Sequence, residues 1–287
     1  MRVLYDCDNT LGLPGREIDD GLTLLYLLGR PEISLEGVTT SFGNDHIDAV
    51  YSQTVRMLRT LGRADIPVFR GAGARGQAPT EAARFLAETA ATHPGEISLL
   101  ATGPLGNLRA AVQLDPAFFN NLKQIACMGG YLHPLRTGWR ALPELNLSAD
   151  PEAAHSVLNA PCPVTLMNAH VCLQAPFGSR QLRLARFWSR ALRRVVRAWW
   201  WLFSLYCGTT VFYLWDLLPA VYLSHPELFD ENPVTVCSSV ADLESGMLIL
   251  RPEDNSAPVN LPTRIQDRER FMAILIEAWR RAPEWSG

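Results

Sequence analysis

Short apolar runs alternate with segments of helical period along the first 170 residues or so. The strand-like runs are Arg2–Asp6, Leu35–Thr40, Ile66–Phe69, Ile97–Ala101, Gln124–Met128 and Val164–Met167. Between them the apolar positions recur at helical spacing in Asp19–Leu28, Ile47–Leu61, Ala78–Ala91 and Leu105–Leu114. The first of these helices opens on two acids and stops at Gly29; the last follows a Gly-Pro turn. Short strands without a polar face, each followed by a helix, predict an α/β fold. Its sheet is open and mostly parallel, with helices on both faces.

A later stretch is amphipathic. Leu184, Phe187, Trp188, Ala191, Leu192, Val195, Val196 and Trp199 recur at helical spacing, with arginines largely between them. The tryptophans read as core or as a subunit contact, with base stacking by one of them as the alternative. The apolar run Val195–Tyr206 spans about a dozen residues, against roughly 20 for a membrane-crossing helix. Arg190, Arg193, Arg194 and Arg197 break it up. No membrane association is expected.

Composition narrows the classes. With 287 residues, 48% of them apolar, the chain can bury a sizeable core, and no linker or repeat divides it. A single domain over 1–287 is expected. The net charge of −3 gives no basic excess for nucleic acid. Lys123 is the only lysine. The six cysteines form no CxxC pair and sit in apolar stretches, as buried reduced thiols do. A cytoplasmic location is the default expectation.

In a parallel sheet, sites form at the carboxyl ends of strands. The polar clusters Asp6–Asp8 with Asp19 and Asp20, Ser41–Asp45, Thr102-Gly103 and Met128–Gly130 all fall there. Four carboxylates in one strand–loop–helix unit repel one another unless protons or a cation neutralise them. Oxygen ligands favour Ca²⁺ or Mg²⁺ over zinc. Asp19 and Asp20 alone could be the acidic start of a helix; Asp6 and Asp8 fit that reading poorly.

The stretch Asp6-Cys7-Asp8-Asn9-Thr10-Leu11 resembles the nucleophile loop of haloacid-dehalogenase-like phosphatases. That resemblance covers about six residues and lacks the late acidic pair, although Lys123 is available. A second resemblance runs through nearly the whole chain, to inosine–uridine-preferring nucleoside hydrolases. Its blocks, in order, are Asp6-x-Asp8 with Asp19-Asp20-Gly21, and Thr39–Asn44. Leu100–Leu108, Met128–Gly130 and Glu144–Asn146 with Ala149–Ala154 follow. The last is Trp215–Ala220 leading into Pro226–Phe229.

The resemblance implies a Rossmann-like nucleoside hydrolase fold and calcium-dependent hydrolysis of a ribonucleoside to ribose and free base, a salvage reaction. It implies Ca²⁺ held by Asp8, Asp20, the backbone carbonyl of Thr102, and Asp216. Asp8 would act as general base on a metal-held water. Asp19 would hydrogen-bond the 2′-hydroxyl, while Asn44 and Asn146 position the ribose. Glu144 would reach toward its 5′ side and Met128 would pack on the sugar. Asp6 would support the loop from behind. A homo-oligomer, dimer or tetramer, is expected by resemblance.

The chain departs from the family pattern at three places. Trp215 stands where many relatives have a histidine that protonates the departing base; indole can stack on a base but cannot protonate it. His133 and His170 are the histidines that could replace it. The 5′-binding asparagine before Glu144 is missing, and Arg136 or Arg140 could take its place or simply be surface charge. The loop Asn9–Ile18 is longer than usual and could cover the ribose or base. A non-catalytic ribose- or nucleoside-binding protein on the same fold is the competing reading.

Overall fold

The computed structural model describes residues 1–77, 79–251 and 258–287. The strands, in chain order, are β1 (Arg2–Cys7), β2 (Ser34–Thr40), β3 (Val68–Arg70), β4 (Ile97–Ala101), β5 (Leu122–Met128), β6 (Arg136–Thr137), β7 (Arg140–Ala141), β8 (Val164–Met167), β9 (Pro176–Gly178), β10 (Val211–Tyr213), β11 (Pro233–Val236), β12 (Leu250–Arg251) and β13 (Val259–Asn260). Nine form one sheet in the order β12-β11-β13-β8-β5-β4-β1-β2-β3. Every pair from β3 across to β13 is parallel. At one edge of this sheet, β11 and β12 pair antiparallel.

The largely apolar character of the central strands follows from their neighbours. On β1, Val3, Tyr5 and Cys7 point into one core and Leu4 into the other. On β4, Leu100 faces the first core while Ile97, Leu99 and Ala101 face the second. Alternation across the pleat with both faces buried leaves no place for a polar stripe. The sequence-predicted α/β sheet covered on both faces is therefore the observed architecture.

The element bounds differ in small, explicable ways. The third strand starts at Val68, not Ile66, because Ile66 closes a turn onto Arg63 and Pro67 has no N–H to donate. The helix expected over Ala78–Ala91 runs Glu81–Thr92, with Thr80 accepting from the Ala83 N–H; Ala78 itself lies outside the described residues. The amphipathic stretch is two helices, Ser179–Leu184 and Arg190–Cys207. Ser189 caps the second by accepting from the Leu192 N–H at 3.0 Å. Gly208, with φ near +71°, ends it. No helix among the described residues is long and apolar enough to cross a membrane.

The strand order reverses at β1. The chain leaves β1 toward β2 and β3 on one side, then resumes with β4 on the other. A crevice opens at such a switch point, outside the carboxyl ends of β1 and β4. Asp8 and Thr102 stand just beyond those two ends.

Candidate active site

Above this switch point lies a cavity of about 290 Å³. Asp8, Asp19, Asn44, Thr102, Met128, Glu144, Asn146, Trp215 and Asp216 all line it. These come from strand ends and loops as far apart in sequence as residues 8 and 216. Of the site residues read from the sequence, only Asp20 stands behind the wall. Its backbone starts the helix Asp19–Leu28, whose N-terminal dipole favours carboxylates at that end.

The carboxylates are held individually. Asp20 Oδ1 accepts from the Thr102 hydroxyl at 2.7 Å and the Tyr5 hydroxyl at 3.0 Å, and its Oδ2 from the Asn44 amide at 3.4 Å. Asp8 Oδ2 accepts from the Asn44 backbone N–H at 2.6 Å. A side chain at Gly43 would place its Cβ 1.9 Å from that same oxygen, and the backbone there has φ near +157°. Glycine is therefore what lets the 41–45 turn close on Asp8. Asn44 does not cap the next helix: His46 takes the capping position, without a side-chain bond. Asp6 is fixed behind the site by Thr39 Oγ1 at 2.5 Å and Asn107 Nδ2 at 2.8 Å.

Burial dominates the electrostatics. It raises the carboxyls of Asp8 and Asp216 well above the ordinary range, with neighbouring carboxylates adding to the effect. Asp19 is pushed up to about 7 by burial and then by Asp20, and Asp6 to about 7 by burial. Asp20 is raised for the same first reason, against its hydrogen bonds to Thr102, Asp8 and Tyr5. Asp19, Asp20 and Asp216 each bring an oxygen within 4.8 Å of the others. Asp19 Oδ1 is buried without a hydrogen-bond partner. A hard divalent cation fits this set of oxygen donors. The group includes Asp19, assigned to the ribose by resemblance, while Asp8 stands beside it within hydrogen-bond reach of Asp20.

The sugar-facing residues behave differently from one another. Asn146 Nδ2 donates to the carbonyls of Thr102 at 2.9 Å and Met128 at 3.1 Å. Two carbonyls can only accept, so the amide orientation is fixed and Oδ1 remains as an acceptor. Glu144 is occupied: its oxygens accept from the N–H groups of Gly130, Asn146, Leu147 and Ser148, at 2.6–3.1 Å. It organises the 144–148 loop. Asp150 caps the helix Pro151–Leu158 and stays outside the site.

The departures from the family pattern resolve into structure. The rings of His133 and His170 pack together, tilted by 40° with centroids 3.9 Å apart, and do not line the cavity. Arg136 donates to the Trp139 carbonyl, and Arg140 lies 4.4 Å over the Tyr206 ring while donating to its carbonyl. The β6–β7 hairpin carrying them supplies donors to the last carbonyls of the helix Arg190–Cys207. These arginines are scaffold and surface charge. The long N-terminal loop folds as successive turns, with Asn9 Oδ1 accepting from the Leu11 N–H and Thr10 Oγ1 donating to the Glu17 carbonyl at 2.8 Å. It brings Glu17, a residue missed in the sequence, into the cavity wall. Opposite, Trp199, Phe203 and Tyr206 line the cavity at helical spacing. Their helix packs mainly through Leu192, Val196, Phe203 and Cys207.

Comparisons with known proteins give the family and the fold. Residues 3–273 match the family described as inosine-uridine preferring nucleoside hydrolase. The chain is 27% identical to the uncharacterized protein C1683.06c of Schizosaccharomyces pombe, covering 99% of this chain and all of that one. It is 32% identical to probable uridine nucleosidase 2 of Arabidopsis thaliana over 60% of each. The solved purine-preferring ribonucleoside hydrolase from Gardnerella vaginalis superposes with a TM-score of 0.87 at 19% identity, over 99% of both chains. The phosphatase reading falls with this match, and Lys123 lies exposed near the start of β5, away from the strand ends that carry the aspartates. The chain belongs to the inosine-uridine preferring nucleoside hydrolases, a family of N-ribosyl hydrolases.

Proposed function

We propose that this chain hydrolyses the N-glycosidic bond of a ribonucleoside in a calcium-dependent reaction, giving ribose and free base. The observation that carries the reading is the gathering of buried Asp8, Asp19 and Asp216 at one cavity with Asn146 and Trp215, and of Asp20 directly behind its wall. Asp19, Asp20 and Asp216 would hold Ca²⁺, with Asp8 and the Thr102 carbonyl beside them. When bound, the ion supplies charge neutralisation and acidifies water within reach.

The chain's own residues do the rest. Asp8, pinned by the Asn44 N–H and crowded by Gly43 and Gly103, takes the proton of the attacking water. Asn146 Oδ1 accepts from a ribose hydroxyl, and Asn44 and Asp19 orient the same face. The carboxylates stabilise the positive charge that develops on the sugar ring as the bond to the base lengthens. Met128 packs against the sugar and Trp215 against the base. Glu144 keeps Gly130 and the 144–148 loop in place for these contacts.

Residues 1–287 act in this reading as one catalytic domain, since the sheet draws strands from residue 2 to residue 260 and Trp285 packs in its core. A cytoplasmic salvage role and a dimer or tetramer complete the proposal by family resemblance. A non-catalytic nucleoside binder is the reading that Trp215 favours, and the intact aspartate set opposes it.

Ribose release from a panel of purine and pyrimidine nucleosides separates the two. Release that disappears in D8N is the expected result. Calorimetric binding of a nucleoside without any release supports the binder and defeats the hydrolase.

A further inference from the structure

We propose that this chain carries a second ligand site, apart from the aspartates, for a soluble molecule that joins two or more phosphates to a planar ring, as a nucleoside diphosphate does. The inference stands independently of the hydrolase reading.

Charge is segregated along the chain. Between Glu152 and Asp216 there is no aspartate or glutamate, yet Arg180, Arg183, Arg186, Arg190, Arg193, Arg194 and Arg197 all fall there. The net charge of −3 therefore hides a strongly basic segment. It is built mainly on the helices Ser179–Leu184 and Arg190–Cys207.

Folding gathers these cations instead of pairing them. Arg183 and Arg186 meet Arg193 and Arg197 around one groove of about 620 Å³, which Trp200 and Trp201 also line. No carboxylate lines it among the described residues. Elsewhere Arg2, Arg63, Arg109 and Arg270 each meet a carboxylate. None of the four groove guanidiniums has an ion-pair or hydrogen-bond partner among the described residues. The Nε of Arg193 is moreover buried without an acceptor, and a buried donor left unpaired is costly.

Like charges around one groove repel, and a polyanion removes that repulsion. Guanidinium forks match phosphate oxygens in pairs, and four of them exceed what a single phosphate can engage. The ring preference comes from the tryptophans. Trp200 is fixed by donating from Nε1 to the Thr210 carbonyl at 2.8 Å. Trp201, its ring centroid 6.0 Å away, is 62% exposed and offers a face on which a base stacks. A concavity between two helices suits a small molecule better than a bilayer surface does. No described residue lines both this groove and the active-site cavity, which Trp199, Phe203 and Tyr206 face from the same long helix.

The test is calorimetric titration of ADP into the calcium-loaded chain, with R183Q/R197Q, W201A and D216N beside it. Arg183 and Arg197 are exposed and unpartnered among the described residues, so their replacement leaves the fold intact. One ADP per chain is expected, weakened about tenfold for each arginine removed. W201A is expected to weaken ADP about tenfold and to leave inorganic pyrophosphate, the weaker ligand, unchanged. No saturable ADP binding, or equal affinity in wild type and R183Q/R197Q, overturns the proposal. Binding that survives in R183Q/R197Q and disappears in D216N puts ADP on the calcium site and overturns it too. Pyrophosphate as tight as ADP, with no effect of W201A, removes the planar ring and with it the ligand class. Co-sedimentation with phosphatidylglycerol vesicles in the absence of ADP binding makes the groove a lipid-facing patch, which also defeats the proposal.

Discussion

The metal-free protein is expected to lose stability as pH rises through neutrality, the reverse of ordinary acid denaturation. Asp19 shows why. Burial and the neighbouring Asp20 carboxylate push its pKa up to about 7, against 3.8 for an unperturbed aspartate. Between those values the folded chain keeps a proton that the unfolded chain has released. Stability from this group is therefore fullest below about pH 4 and declines until about pH 7, since ∂ΔG/∂pH is negative where the folded state binds more protons. A difference of about 3 units corresponds to about 4 kcal/mol. That figure is a ceiling, because Asp19 shares its titration with Asp8, Asp20 and Asp216. At about 2.1 cal/mol/K per residue of unfolding entropy, it moves Tm by about 7 °C in a chain of this length.

The assay is differential scanning calorimetry of chelator-stripped wild type and D19N between pH 4.5 and 8. The wild-type Tm falls with pH, and the D19N curve falls by several degrees less. The residual slope in D19N comes from Asp6, which burial also holds at about 7, and from Asp8 and Asp216. Calcium raises Tm more at pH 8 than at pH 5, because binding displaces the retained protons. A wild-type Tm that is flat or rising over this range, or the same slope in D19N, refutes the reasoning.

Two further outcomes follow from contacts around the site. G43A brings a methyl group to 1.9 Å from Asp8 Oδ2 at a backbone angle that side chains avoid, so Asp8 must move. A displacement on the ångström scale costs about 10²-fold in kcat, read by ribose release with the Tm as control. E144Q replaces one acceptor oxygen by an NH₂ facing backbone N–H groups. Freeing one or more of those donors costs about 1–3 kcal/mol in urea unfolding and raises KM more than it lowers kcat.

Much of this was legible before folding was considered. Parallel strands buried on both faces leave apolar runs, so β1, β2, β4, β5 and β8 stand out in the sequence. The strands β11, β12 and β13 do not, because runs of two to four residues carry no period. The residues at strand ends, Asp8, Asn44, Thr102 and Met128, reach the cavity as expected, since a strand end fixes where its next residue points. Residues on loops were harder. Glu17 enters the cavity through turns set by Asn9, Thr10 and two glycines with positive φ, a geometry that no spacing rule encodes. Glu144 had the right place and a different occupation: whether a carboxylate meets ribose or four backbone N–H groups depends on the path of residues 144–148. The same limit applied to Arg136 and Arg140, whose hairpin turns them toward the helix end.

The central claim is that Asp19, Asp20 and Asp216 hold the ion on which Asp8 depends. It is tested most directly by titrating calcium into chelator-stripped wild type and D216N while ribose release from a nucleoside that wild type hydrolyses is followed. Saturable activation at one calcium per chain in wild type, with little or none in D216N, is the result predicted. Full activity after chelation, or wild-type activation in D216N, would contradict it.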